Sequence, residues 1–151
     1  MYQKVISVTP VVGTSIYASG DQLGAIGRIQ NAINLEGGSS KLLSLTLQDK
    51  ADQTAIQLEV LLWSRSVTLA TDNAAVSISD ADSDYFLGRV SIVTDDWEDI
   101  GGVKVATKTG LHIPLQSSNG SKDIYFSLVS KGTPTFGTAS DLVLKFGIRP
   151  Q

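Results

Sequence analysis

The chain has 151 residues, 12 Lys and Arg against 15 Asp and Glu, a formal net charge of −3, a single histidine and no cysteine. That length suits one domain over residues 1–151, and at this size folding buries roughly 70% of the unfolded surface without help from a disulfide or metal. The missing thiols exclude a disulfide framework, a thiolate zinc site and a cysteine nucleophile; the acidic balance argues against nucleic acid, and no apolar run approaches the ~20 residues of a membrane helix.

Taken in chain order, the pattern is one of alternation. Tyr2 to Val8 alternates weakly and predicts a first strand. Pro10 and Gly13 interrupt the apolar stretch that follows Lys4, so no signal peptide is expected, since that needs a continuous apolar centre. Short strands are expected at Thr14 to Tyr17 and Gly27 to Ile33, followed by a loop at Gly37-Gly38-Ser39-Ser40. In Lys41 to Asp49, Leu43, Leu45 and Leu47 alternate with Ser44, Thr46 and Gln48. In Ile56 to Trp63 one face carries Ile56, Leu58, Val60 and Leu62, and the other Gln57, Glu59, Leu61 and Trp63. A period of two is the mark of a half-buried strand.

Val67 to Leu69 reads as a further short strand, and then the pattern breaks. Ser79 to Leu87 reads as a short helix, with Ser79 as its cap, Asp80 and Asp82 at the positive end of its dipole and Gly88 as its stop. Strands resume at Gly88 to Thr94 and Val103 to Lys108. Asn119-Gly120 is a tight-turn signal, read as the tip of a hairpin joining Leu111–Leu115 to a strand that begins at Asp123. Two more alternating runs, Asp123 to Ser130 and Asp141 to Ile148, put Ile124, Phe126, Leu128, Leu142, Leu144 and Phe146 on inward faces with the leucines and Ile56 to Leu62 named above. Crossover helices are missing, which excludes a parallel α/β sheet. The expected fold is all-β: an antiparallel β-sandwich of the jelly-roll kind, with an immunoglobulin-like sandwich as the alternative.

Candidate chemistry is sparse. His112 has no second histidine for a metal and no Gly-x-Ser-x-Gly elbow to serve. Asp80, Asp82 and Asp84 resemble the opening of a calcium loop, but Tyr85 and Ser91 stand where that motif needs Gly and Glu; capping explains the aspartates. Asp95, Asp96, Glu98 and Asp99 around Trp97 read as a solvated loop anchored by the indole rather than as a glycosidase pair. No catalytic residue, cofactor or metal is assigned. Trp63 is more telling. If Leu62 and its partners line the core, then Leu61, Trp63 and Arg65 point away from it. A loop, the short helix or another chain must cover them, and Trp beside Arg is typical of interface anchors. The candidate interface is therefore Leu61, Trp63 and Arg65, with Trp97 and Phe136 in neighbouring loops.

The run from Leu62-Trp63-Ser64-Arg65 to Ile78-Ser79-Asp80-Ala81-Asp82, together with Gly132-Thr133-Pro134-Thr135-Phe136 and the Ser140-Asp141-Leu142 beyond it, resembles virion structural proteins of tailed bacteriophages. The resemblance implies an auxiliary capsid protein of the decoration or cement kind. Such a protein is made in the host cytoplasm, joins the virion on the outside of the major capsid protein shell and associates with its own copies, commonly as a homotrimer. A tail, baseplate or head-fibre role belongs to the same class. From the residues alone, a carbohydrate-binding module is the rival reading, because Trp63 or Trp97 could stack on a sugar ring. Neither reading involves an enzyme, nucleic acid or a membrane.

Overall fold

The computed structural model describes residues 3–151, so the Tyr2 end of the first predicted strand lies outside the described residues. Among the described residues ten strands are present: β1 (Lys4–Val8), β2 (Gly27–Ile29), β3 (Ser39–Asp49), β4 (Leu58–Trp63), β5 (Phe86–Ile92), β6 (Trp97–Asp99), β7 (Lys104–Lys108), β8 (Ile113–Gln116), β9 (Ile124–Ser130) and β10 (Leu142–Pro150). One helix, α1, spans Asp80–Ser83, and a 3-10 turn spans Thr94–Asp96. Among the described residues no helix is long and apolar enough to cross a membrane.

The strands form two antiparallel sheets. The first, sheet A, runs β1-β10-β3-β7-β6, with β8 also paired to β3. The second, sheet C, runs β2-β9-β4-β5. The pairing is nested. β1 pairs with β10, β2 with β9, β3 with β7 and β8, and β4 with its sequence neighbour β5. A long hairpin wrapped around itself gives this order, which is the jelly roll. An immunoglobulin arrangement would put the first two strands in one sheet, whereas β1 and β2 lie in opposite sheets.

The core lies between the sheets. Leu45, Leu47, Leu142, Leu144 and Phe146 of sheet A face Leu58, Val60, Leu62, Phe126 and Leu128 of sheet C, all essentially buried in one cluster. Phe126 and Phe146 meet across the gap with ring centroids 5.0 Å apart. Gly27 makes room for the Phe126 ring, since a Cβ there would stand 2.3 Å from it.

Several sequence expectations change. Leu43 is half-buried and Leu42 takes the core position instead. The cause is a bulge: Gly147 pairs with Ser44 and Ile148 with Leu42, so Leu43 is skipped and the alternation of β3 slips by one. Asn119-Gly120 does not close a hairpin, because β8 belongs to sheet A and β9 to sheet C; the turn carries the chain from one layer to the other. Thr14–Tyr17 and Val67–Leu69 are not strands but parts of long connections packed against the sandwich. Of the acidic segment anchored by Trp97, Asp95 and Asp96 lie in the 3-10 turn, while Trp97–Asp99 form an edge strand, β6, paired to β7 rather than a loop.

The predicted helix is shorter than expected. Ser79 caps it as anticipated, its hydroxyl accepting from Asp82 N–H at 3.1 Å. Gly88, however, sits inside β5, and the helix closes at Asp84.

Candidate functional site

The alternation of β4 does send Leu61 and Trp63 to the outer face of sheet C, opposite Ser127 and Tyr125 of β9. The chain covers them itself. The β4–β5 connection folds back over this face and lays Val67 and Leu69 on Trp63, with Ile26, Leu61, Val76, Tyr85 and Tyr125 packed around them. Trp63 is only 3% exposed. Its indole N–H donates to Ser127 Oγ at 3.0 Å, and its ring meets Phe86 edge-on at 5.3 Å. Phe136 is 1% exposed and packs edge-on against Tyr17 at 6.2 Å. Neither residue offers a surface, and Leu61 is half-buried in the same cluster.

Of the five candidate interface residues, Arg65 alone is exposed. Its guanidinium stacks 4.6 Å from the Tyr85 ring centroid and donates to the Tyr85 hydroxyl at 3.2 Å. Trp97 is half-buried against the main core, where its N–H donates to Ile56 O at 2.7 Å. Leu61, Trp63 and Arg65 thus stay together around Tyr85, while Phe136 and Trp97 belong to the main core.

Two of the clefts among the described residues lie beside connections between strands. One, of about 530 Å³, opens between the β3–β4 and β9–β10 loops. Its polar lining consists of Gln53, Thr54, Gln57, Thr94, Thr133 and Thr135, and it contains no ionisable side chain. Gln53 Oε1 accepts from Thr135 N–H at 2.8 Å, tying the two loops together. Amides and hydroxyls there can hydrogen-bond a ligand but have no pKa near neutral pH with which to act as a general acid or base. The second cleft, about 520 Å³, lies between the Val8–Gly13 and Gly24–Gly27 segments, with Val11 at its mouth, 76% exposed. Asp72 is its one carboxylate, and the Oδ1 atom is already occupied: the Tyr17 hydroxyl donates to it at 2.5 Å and Gly24 N–H at 2.7 Å. Burial, and then the hydrogen bond to Asp72, push the Tyr17 hydroxyl up to about 12, so it stays protonated.

The same region stitches two long connections together. Gln22 Nε2 donates to Gly24 O at 2.9 Å and to Ala70 O at 3.0 Å, Gln22 N–H donates to Ala74 O at 2.9 Å, and Asn73 N–H donates to Gln22 O at 2.9 Å. The β1–β2 and β4–β5 connections are therefore joined through Gln22 and Asp72.

A buried carboxylate that sequence reasoning missed lies at the end of β3. The inward alternation Leu45, Leu47 continues to Asp49, which is 1% exposed. Its Oδ1 accepts from Ala51 N–H at 3.0 Å, while Oδ2 has no partner. Burial first, and then the neighbouring Asp141, push its carboxyl above the ordinary range; the Ala51 N–H, Gln53 and Lys104 act in the other direction. Asp141 moves the opposite way. Its own desolvation is outweighed by the Thr138 hydroxyl at 2.7 Å, the N–H groups of Thr138 and Gly137, and Lys50. The signal available in the sequence was an Asp at an inward position of an otherwise apolar alternation.

His112 is exposed in the β7–β8 connection with a left-handed backbone, φ 51°. Among the described residues no group of three or more His, Cys, Asp or Glu side chains is arranged to hold a metal ion.

The outer face of sheet A differs in kind. Lys41, Ser44, Thr46, Lys145 and Arg149 lie on it half-exposed, and neither hydrophobic cluster extends over it.

No protein-family model and no curated protein matches the chain. Among solved structures, a candidate sugar binding protein from Bacteroides thetaiotaomicron is similar over 83% of this chain at 13% identity, with a TM-score of 0.29; this chain spans 66% of that one, just under two thirds. The structure of Triatoma virus is similar over 93% of this chain and 67% of its own, at 8% identity and a TM-score of 0.19. Both likenesses fall far below a shared fold, and neither says what this chain binds.

Proposed function

We propose that the chain is a decoration protein of a tailed-phage capsid, which binds the outside of the assembled head and stabilises it. The observation that carries this reading is the nested jelly roll with one outer face packed over by its own connection and the other left open. A domain built in this way meets other proteins through a preformed sheet face, at little ordering cost. The resemblance to phage virion proteins supplies the setting. A decoration protein works by mass action: it binds the assembled lattice and not free subunits, so occupancy shifts the shell against disassembly. The partner is the major capsid protein, and self-association as a homotrimer follows the general preference of homo-oligomers for closed symmetry.

The carbohydrate-binding reading loses its main support. It needs an indole lying flat and exposed, but Trp63 is buried, and Trp97 is half-buried with its N–H engaged.

The test is co-sedimentation of the purified protein with expanded empty heads, with tails from the same particles as a parallel arm. Saturable binding to heads is expected. Binding confined to tails would move the protein to a tail or baseplate role, and binding to neither would remove the virion reading.

A further inference from the structure

We infer that the outer face of sheet A receives a second copy of this chain, through the acidic stretch that the copy carries around α1. The inference concerns the isolated protein and does not depend on the capsid reading.

The receiving face is set by strand register. Alternation sends Lys145, Gly147 and Arg149 of β10 outward, beside Thr46, Ser44 and Lys41 of β3. Arg149 and Lys41 stand directly opposite one another on hydrogen-bonded strands. Like charges placed in this way repel. The chain provides no relief, because among the described residues the ion pairs use Arg28, Arg89, Lys104 and Lys108 instead. Arg149 Nε is buried with no hydrogen-bond partner. Between Lys145 and Arg149, Gly147 carries no side chain and the Ser44 hydroxyl occupies the space beside it, 2.2 Å from where a Cβ would stand. The centre of the face is thus a glycine beside a serine hydroxyl, with three cations around it and the exposed Val5 of β1 opposite Gly147. The nearest carboxylate by register is Glu98, on the outermost strand.

The complementary surface belongs to the same chain. From Ser66 to Gly88 there is no Lys or Arg, and the charges are Asp72, Asp80, Asp82 and Asp84. Asp80 and Asp84 are exposed, and none of Asp80, Asp82 and Asp84 is in an ion pair among the described residues. This stretch belongs to the connection that covers sheet C, while the cations lie on sheet A. A molecule with a cationic face on one layer and an anionic ridge over the other joins its copies head to tail. Such a contact is heterologous, and it closes into a ring when the rotation between copies allows. Carboxylates arriving from a second copy separate Lys41 from Arg149 and supply acceptors to the guanidinium.

The experiment is sedimentation of the purified chain across concentration, at low salt and at about 1 M salt, where the screening length falls to ~3 Å. Self-association is expected at low salt and should weaken at least about tenfold at high salt. Lys41→Glu with Arg149→Glu should leave monomers, as should Asp80→Lys with Asp82→Lys and Asp84→Lys. A chain carrying all five reversals should associate again, and so should a mixture of the two reversed chains. If a reversed chain melts early, Lys41→Gln with Arg149→Gln replaces it, with the same loss expected. A wild-type chain that stays monomeric at low salt overturns the inference, as does association that survives either reversal. If only binding to heads responds to Lys41 and Arg149, the occupant of the face is an acidic shell surface and the second copy is excluded, while the capsid reading stands.

Discussion

The two outer faces of the sandwich come from the same kind of strand and end in opposite states. On sheet C, alternation puts Leu61 and Trp63 outward, and the chain uses its β4–β5 connection to bury them. On sheet A, alternation puts Ser44, Thr46, Lys41, Lys145 and Arg149 outward, and they remain half-exposed. Apolar area left in water is costly, at about 25 cal/mol per Å², so a face bearing an indole either recruits its own chain or a partner. The hydroxyls and cations of the other face have no such demand, and of the valines among them Val143 is buried while Val5 stays 69% exposed. What lies over each sheet follows from the composition of its outward positions.

The strongest way to break this contrast is to remove the indole. Trp63→Ala should destabilise the fold by about 3–5 kcal/mol, as large-to-small changes at buried aromatics do, measured by urea unfolding. A loss near zero would mean that the connection does not pack on Trp63 as described. An effect on particle binding with stability intact would return Trp63 to the role of interface anchor.

The inside of sheet C gives a sharper comparison between crowding and cavity. Gly27→Ala places a methyl against the Phe126 ring and should cost about 1–3 kcal/mol through displacement of that ring from Phe146. A matched change on the outer face of sheet A at Gly147 meets only the rotatable hydroxyl of Ser44, and should cost less in the same assay.

Acidity separates the layers in another way. Asp49 is the inward carboxylate at the end of sheet A, and its folded pKa is raised. A raised carboxyl binds its proton more tightly when folded. Its contribution to stability is therefore full below the ordinary carboxylate pKa and is lost as pH rises through the folded value. Asp49→Asn should raise the melting temperature at neutral pH, and the gain should shrink on acidification. A gain that is the same at every pH would place the effect in packing rather than ionisation. The smallest expected effect is at the outer face itself: Thr46→Ala should shift stability by no more than about 0.5 kcal/mol. A larger loss would show that something in the chain depends on that face after all.

Much of the sandwich was legible in the sequence because alternation reports which residues face inward. Leu58, Val60, Leu62, Phe126, Leu128, Leu142, Leu144 and Phe146 lie where a period of two puts them. The pattern cannot report a slip in register, so the bulge at Leu43 was invisible and the core position moved to Leu42. Nor does turn chemistry say which layer the chain enters next. Asn119-Gly120 supplies a tight turn with a left-handed glycine, φ 78°, and that geometry serves a change of sheet as well as a hairpin. The candidate site was least legible. Local sequence shows that Trp63 points away from Leu62, but what covers it lies at Val67, Leu69 and Ile26. Val67 and Leu69 alternate like a strand without pairing as one. The basic face was equally hidden, since Lys41 and Arg149 are far apart in sequence and meet only through the register of β3 with β10.

The join made by Gln22 and Asp72 sets the order in which the molecule can come apart. Gly24 N–H and Tyr17 both hang on one carboxylate, while Gln22 reaches Ala70 and Ala74 on the other connection. Neither strap can lift from the sandwich without releasing the other, so the two should open as a single cooperative unit. In amide exchange, Gly24 and Asn73 would then share one opening rate although they are distant in sequence. A protease acting on the folded molecule would meet a closed hem in place of two loose loops.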